Sequence, residues 1–239
     1  MTAAGRLGVG IVGAGRVGPV LGAALAGTGH AIVGVATVSD AGRERAEALL
    51  PGAPVLDIRT LVERSELVLL AVPEDELPAL VKGLAEVGAW VPGQLVVHTA
   101  PGSGTVVLAP AAAAGTIPLA ISPAMAFTGT SIDLARLRSA YCAVTGPGPV
   151  LPIGQALAVE MGCEPVLVAE GDRASWAAAL AAVVDPLDTV VRSSAALLRE
   201  IGVDAADRVL GPVARSALER ALAAAASPHA LPPLDQEPE

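Results

Sequence analysis

The sequence predicts an α/β protein, a doubly wound, mostly parallel sheet followed by a small all-α C-terminal domain. Three observations lead there. Short apolar runs alternate with helical stretches as far as residue 170. A glycine-rich turn, "GIVGAGRVG" at residues 10–18, joins the first apolar run to the first helical stretch. From Gly171 onward the chain is helical in pattern and free of strand signals. Continuous apolar runs separated by helices are the mark of strands buried on both faces by crossover connections.

Taken in order, "LGVGIVG" reads as a buried strand and "RVGPVLGAALAGTG" as a helix ending at Gly29. "AIVGVAT" is a second strand, and "DAGRERAEALL" a helix with Asp40 expected at its N-cap, where a short acidic side chain accepts a free amide. "PVLD" is expected as a short third strand, and "ELVLLAVP" as a strand buried on both faces. "EDELPALVKGLAEVG" supplies a helix and "QLVVHTA" another strand. "PLAISPAM" and "AYCAVTG" are two further strands, "PIGQALAVEMG" is a helix, and "EPVLVAE" closes the sheet. The domain boundary falls between residues 170 and 171, with the helical domain running to residue 226. The Pro-rich, acidic stretch 227–239 reads as a disordered tail.

Composition excludes several functions. With 2% aromatic residues, the core must be built from Ala, Val, Leu and Ile. A formal charge of −9 argues against non-specific nucleic-acid binding, which needs a basic surface. Cys142 and Cys163 are too few for a disulfide framework and sit in apolar surroundings, as core residues do. His30, His98 and His229 lack ligand spacing, so no metal is expected. No G-x-S-x-G nucleophile elbow occurs. No secretory leader and no membrane span of roughly 18 uncharged apolar residues is read, so a soluble cytoplasmic protein is expected.

Gly13, Gly15 and Gly18 fit G-x-G-x-x-G between a strand and a helix. The first glycine permits a sharp turn, the second lets a pyrophosphate approach, and the third lets helix pack on sheet. Together with Ala14, Arg16 and Val17 they form a candidate dinucleotide cradle at a helix N-terminus. The end of the second strand decides which dinucleotide. Thr37 and Ser39 stand where an NAD-binding acid would be expected, with Arg43 and Arg45 close behind, which favours NADP. Asp40 could still serve NAD, and the arginines could be solvated helix residues. Val72 and Pro73 in "AVPED", and His98 and Thr99 in "VHTAPGSG", end strands at the same carboxyl edge.

"GIVGAGRVG", "LLAVPED", "LVVHTAPGSG" and "PLAISPAMAFTGT" together resemble the actinobacterial Rossmann-like proteins with a helical C-terminal domain of unknown function. These are relatives of pyrroline-5-carboxylate reductase and of the 6-phosphogluconate and β-hydroxyacid dehydrogenases. The likeness covers about residues 7–226. It implies an NADP-binding domain, a helical domain that often dimerises, and hydride transfer involving a small C=O or C=N compound. Ala100 and Pro101 replace the family's usual Ser-Gly, Ser122 precedes Pro123 where the family has His, and "WAAALAAVVDPLD" lacks the usual His and Asn.

Candidate catalytic residues are His98, Ser122 and Asp185, with Thr128 as a further polar group. His98 could donate a proton near neutral pH, or be a neutral ring bonded to a loop carbonyl. Ser122 could orient a substrate oxygen or bond the turn before Pro123. Asp185 lies in an apolar helix beside Pro186, and by the resemblance would be a general acid. Alternatively "VVDPLD" is a break between helices that Asp185 or Asp188 caps. Trp176 could pack over a substrate or between helices. Two functions remain open: an NADP-dependent oxidoreductase, with NAD possible, acting on a small keto or imine substrate, and a non-catalytic dinucleotide-binding protein. The apolar stripes of "TVVRSSAALLREI" and "RVLGPVARSALERAL" need covering, by a second subunit in a homodimer or by the chain's own sheet domain.

Overall fold

The computed structural model describes residues 6–226. Strands β1 (Gly8–Val12), β2 (Ala31–Ala36), β3 (Leu67–Leu70), β4 (Leu95–His98), β5 (Ile117–Pro123), β6 (Tyr141–Thr145) and β7 (Glu164–Leu167) form one sheet in the order β2-β1-β3-β4-β5-β6-β7. All neighbours are parallel except β5 and β6, which run antiparallel. Register pairs Ala36 with Val12, Val12 with Leu70, Leu70 with His98, and His98 with Ala120. These residues mark the carboxyl edge of the parallel strands. Strand order reverses between β1 and β3, which is where an open α/β sheet holds its ligand.

Side chains alternate between two buried layers. Val9, Ile11, Leu67, Leu69, Val97, Leu119 and Ile121 face α1 (Gly18–Gly27) and α7 (Leu151–Glu160). Val68, Leu70 and Val96 face α3 (Ile58–Arg64) and α4 (Leu77–Glu86), with α5 (Ala109–Ala113) beyond. A run such as "LVLL" is apolar at every position because both of its faces are covered.

Two local expectations are corrected. "PVLD" makes only one bridge, Val35 to Val55, and then enters α3, whose N-cap Asp57 accepts the Thr60 amide at 2.9 Å. The apolar residues Ile58, Leu61 and Val62 have helical spacing, and that pattern wins over the short β-like run. The N-cap of α2 (Asp40–Leu49) is Ser39, which accepts the Gly42 amide at 3.1 Å. Asp40 is instead the first helical residue and pairs with Arg43 at 2.8 Å. A short helix, α6 (Ile132–Leu137), also stands between β5 and β6.

Contacts divide the chain into a compact unit up to Leu180 and a second from Ala181 onward. The helix α8 (Arg173–Glu200) runs unbroken through Pro186, so the expected break at "VVDPLD" does not form. The segment Glu170–Glu200 is long and apolar enough to cross a membrane by length and composition alone, with mean hydropathy 1.3 in its most apolar stretch. It nevertheless carries Asp185, Asp188 and Arg192 along its length. In the second unit α8 is followed by α9 (Ala206–Ala225). The expected tail at 227–239 lies outside the described residues.

Candidate functional site

Backbone geometry explains each glycine of the loop. Gly13 has φ +98°, and a Cβ there would run into the Ala71 carbonyl. A Cβ on Gly18 would strike the carbonyl of Gly13, so only glycine lets α1 start this close to the turn. Gly15 differs from both, because nothing lies within 4 Å of the place its Cβ would occupy. Its open face belongs to a cavity of about 470 Å³ that runs from the loop past Thr37 and Val38 to Val72 and Pro73. No side chain caps α1, so its first-turn amides are left for a ligand. A diphosphate fits this cradle: free amides, a helix N-terminus, and an absent side chain where it must approach.

The remaining loop residues have distinct places. Ala14 is buried and its carbonyl accepts Arg45 Nη1 at 2.6 Å. Arg16 is exposed, and its Cα lies 3.1 Å from where a Cβ on Gly129 would be. Val17 is half-buried at the N-cap of α1. The cavity is also lined by Leu56, Asp57 and Ile58, which sequence reasoning missed because it read a strand before α3, and by Glu76 and Leu80 at the start of α4. The Thr60 bonds hold the Asp57 carboxyl below its ordinary range.

At the end of β2, Thr37 lines the cavity, whereas the Ser39 hydroxyl is committed to capping α2. Arg43 pairs with the exposed Asp40, and Arg45 braces the glycine loop. Neither arginine lines the cavity, whose charged lining residues are Asp57 and Glu76.

Beside this cavity the loop after β4 is pinned from three directions. His98 is fully buried. Its Nε2 donates to the Gly104 carbonyl at 2.8 Å, while Nδ1 accepts the Ala100 amide at 3.2 Å. Burial, helped by the nearby Arg173 charge and opposed by the Gly104 bond, lowers the imidazole pKa to about 4. The ring is therefore neutral at pH 7 with both nitrogens engaged. Glu74 accepts the Ser103 hydroxyl at 2.6 Å and the Gly102 amide at 3.4 Å. Glu170 accepts the Thr105 amide at 2.8 Å and the Val106 amide at 3.1 Å. Burial pushes the Glu170 carboxyl up, but these donors outweigh it and hold the pKa below its ordinary value. Thr99 is half-buried, and its amide bonds the Leu70 carbonyl at 3.2 Å.

On the same face of the sheet as His98, Ser122 is buried in β5 opposite Ala143. Arg173, which sequence reasoning also missed, is buried beside them. It donates through Nε to Thr145 Oγ1 at 2.7 Å and through Nη2 to the Ala120 carbonyl at 2.5 Å. The sign of it in the sequence was a cation opening an otherwise apolar helix, "DRASW". Thr128 is committed to Asp133, its hydroxyl 3.0 Å from Oδ1. Asp185 lies in the second unit, exposed, and its carbonyl accepts Thr189 Oγ1 at 3.0 Å. Thus Gly13, Gly15, Thr37, Val72 and Pro73 share one cavity, while His98 and Ser122 share a buried layer with Arg173. Among the described residues no cluster of His, Cys, Asp and Glu suits a metal ion.

The strand, glycine turn and helix at the amino end decide the classification, since residues 2–123 match the Rossmann-like domain. The chain belongs to the Rossmann-like family. Residues 140–231 of this Rossmann-like protein match a domain of unknown function, DUF2520. Among solved structures it is similar to a proposed NADP oxidoreductase of Bacteroides fragilis, at TM-score 0.72 and 17% identity over 90% of this chain and 80% of that one. A pyrroline-5-carboxylate reductase of Streptococcus pyogenes matches at TM-score 0.64 and 17% identity, over 94% and 82% of the two chains. An imine reductase variant of Myxococcus stipitatus, in complex with NAD+, matches at TM-score 0.62 and 21% identity, over 95% and 81%. At these identities the likeness establishes the fold. Sequence comparison with curated proteins gives no match.

Proposed function

We propose that this Rossmann-like protein is a nicotinamide-dinucleotide-dependent oxidoreductase acting on a small keto or imine substrate. The observation that carries the reading is the open face of Gly15 at the mouth of a 470 Å³ cavity on the switch point of the sheet. The coenzyme, when bound, supplies or accepts the hydride. The chain's own contribution begins with binding, through the first-turn amides of α1, the Thr37 hydroxyl and the apolar wall of Val72 and Pro73. Similarity to a proposed NADP oxidoreductase, an imine reductase and a pyrroline-5-carboxylate reductase supports the substrate class. NADP is the coenzyme expected from Thr37 and Arg43, but Arg43 pairs with Asp40 and does not line the cavity. Asp57 and Glu76 on the cavity wall favour NAD, because they would repel a 2′-phosphate. A cytoplasmic location accompanies this reading, since nicotinamide coenzymes are recycled there. Two copies would pair through the apolar face of the second unit.

The engagement of both His98 nitrogens favours a second reading, a dinucleotide-binding protein without catalysis. Calorimetric titration with NADPH and NADH, followed by coenzyme oxidation assays against a panel of small 2-keto acids, aldehydes and cyclic imines, separates the two. Binding with turnover of any panel member supports the oxidoreductase. Binding without turnover favours the second reading, and no binding of either coenzyme overturns both.

A further inference from the structure

Among the described residues, three buried side-chain polar atoms lack a hydrogen-bond partner, namely Thr116 Oγ1, Arg173 Nη1 and Trp176 Nε1. Two of the three lie on one turn of α8, where residues three apart are neighbours about 5–6 Å apart at Cβ. Such orphans are rare, because a buried donor gives up its water and must find an acceptor in exchange. Both groups are donors that cannot accept, so only an acceptor satisfies them. Arg173 adds a permanent charge, and it is 1% exposed. Its other donors go to neutral oxygens: Thr145 Oγ1 and the carbonyls of Ala120 and Ala143. The nearby carboxylates of Glu74 and Glu170 are spent on the amides and hydroxyls of the 102–106 loop, and neither forms an ion pair with Arg173. The charges of Glu74 and Glu170 reach Arg173 only at a distance and its Nη1 meets no acceptor, which leaves the buried guanidinium incompletely compensated.

We propose that Arg173 Nη1 and Trp176 Nε1 form a binding site for a compact oxyanion, a carboxylate giving one oxygen to each donor. The site lies wholly within the first unit and does not depend on the coenzyme reading. The loop that would border a ligand there lies against the same stretch of helix. A Cβ on Gly102 would stand 3.4 Å from Ala177 Cβ, and one on Gly104 would overlap the Glu170 carboxylate. The two glycines of "PGSG" therefore let the loop pass this close to α8.

The two tryptophans make the test specific, since each indole N–H gives a separate nitrogen–proton resonance. Trp90 Nε1 already donates to the Val81 carbonyl at 3.3 Å and serves as the internal control. Titration of the full chain with sodium acetate should shift the Trp176 resonance saturably and leave Trp90 in place. The Arg173→Gln variant should weaken that response at least tenfold. Absence of a saturable shift overturns the proposal, as does an equal shift with sodium chloride at the same ionic strength. If Arg173→Gln does not fold, Trp176→Phe decides. Acetate should raise the melting temperature of the parent chain above the chloride control, and lose that effect in Trp176→Phe; the same rise in both chains overturns the proposal. Coenzyme titrations on the same samples report on the cradle separately.

Discussion

His98 Nε2 lies 2.8 Å from the carbonyl oxygen of Gly104, and this bond ties the end of β4 to the loop that follows it. The ring is held neutral, with its pKa lowered from 6.5 to about 4. A depressed histidine pKa means that the unfolded chain takes up the proton first as pH falls. Stability from this site is thus complete above pH 6.5 and declines steadily toward pH 4, by about 3 kcal/mol in all. Urea denaturation at pH 7.5, 5.5 and 4.5 measures the decline. His98→Gln keeps a donor for Gly104 but cannot ionise, so its stability should vary far less across that range. Equal pH dependence in both chains would refute the assignment.

The glycine loop makes a paired prediction. Gly13→Ala forces a side chain into the left-handed region and against the Ala71 carbonyl, and should cost about 1–3 kcal/mol or more in stability. Gly15→Ala meets no protein atom within 4 Å and should leave the melting temperature nearly unchanged. Its methyl group nevertheless occupies the approach of the diphosphate, so coenzyme affinity should fall at least tenfold. Thermal melts and calorimetry on the two variants check this split. A Gly15→Ala chain that binds coenzyme as the parent does would remove the main support for the proposed function.

Asp133 is a further positioning residue. It is fully buried, and its Oδ2 accepts the amides of Thr128 at 2.7 Å and Gly129 at 2.8 Å. Gly129, at φ +80°, packs against Arg16 of the glycine loop. Burial raises the Asp133 pKa, but the Gly129 and Thr128 bonds outweigh it and hold the carboxyl below its ordinary value. Asp133→Ala strands both amides and should cost about 2–4 kcal/mol. Asp133→Asn keeps an oxygen at the Oδ2 position and should recover most of that loss. Denaturation curves of the two variants give the comparison, and equal losses would show that the acceptor oxygen is not what matters.

Much of this arrangement was legible in the sequence because period and punctuation were strong. "LVLL" and "LVVH" are apolar on both faces, and G-x-G-x-x-G stands between a strand and a helix. The region around "PVLD" misled because four β-compatible residues precede a helix whose apolar spacing begins only at Ile58. The site was harder to read. Whether His98 offers a proton or spends it on Gly104 depends on a loop folding back over six residues, which no local pattern records. Arg173 finds its carbonyl partners on β5 and β6 through long-range packing, and a single cation in an apolar helix gives little sign of it.

The second unit supplies the last prediction. Leu187, Val190 and Val213 are 41%, 59% and 62% exposed, and all three line an apolar groove of about 420 Å³ between α8 and α9. The groove leaves apolar side chains of both helices open, and an exposed strip of this kind is a usual feature of subunit contacts. The proposed homodimer buries it against its own copy. Light scattering after size exclusion at micromolar concentration should give about twice the 23.6 kDa chain mass. Val190→Glu and Val213→Glu place charges in the groove of the second unit, and should yield monomers that retain coenzyme binding. A parent chain that runs as a monomer at these concentrations would rule out pairing. Dimers in both glutamate variants would move the contact to another surface.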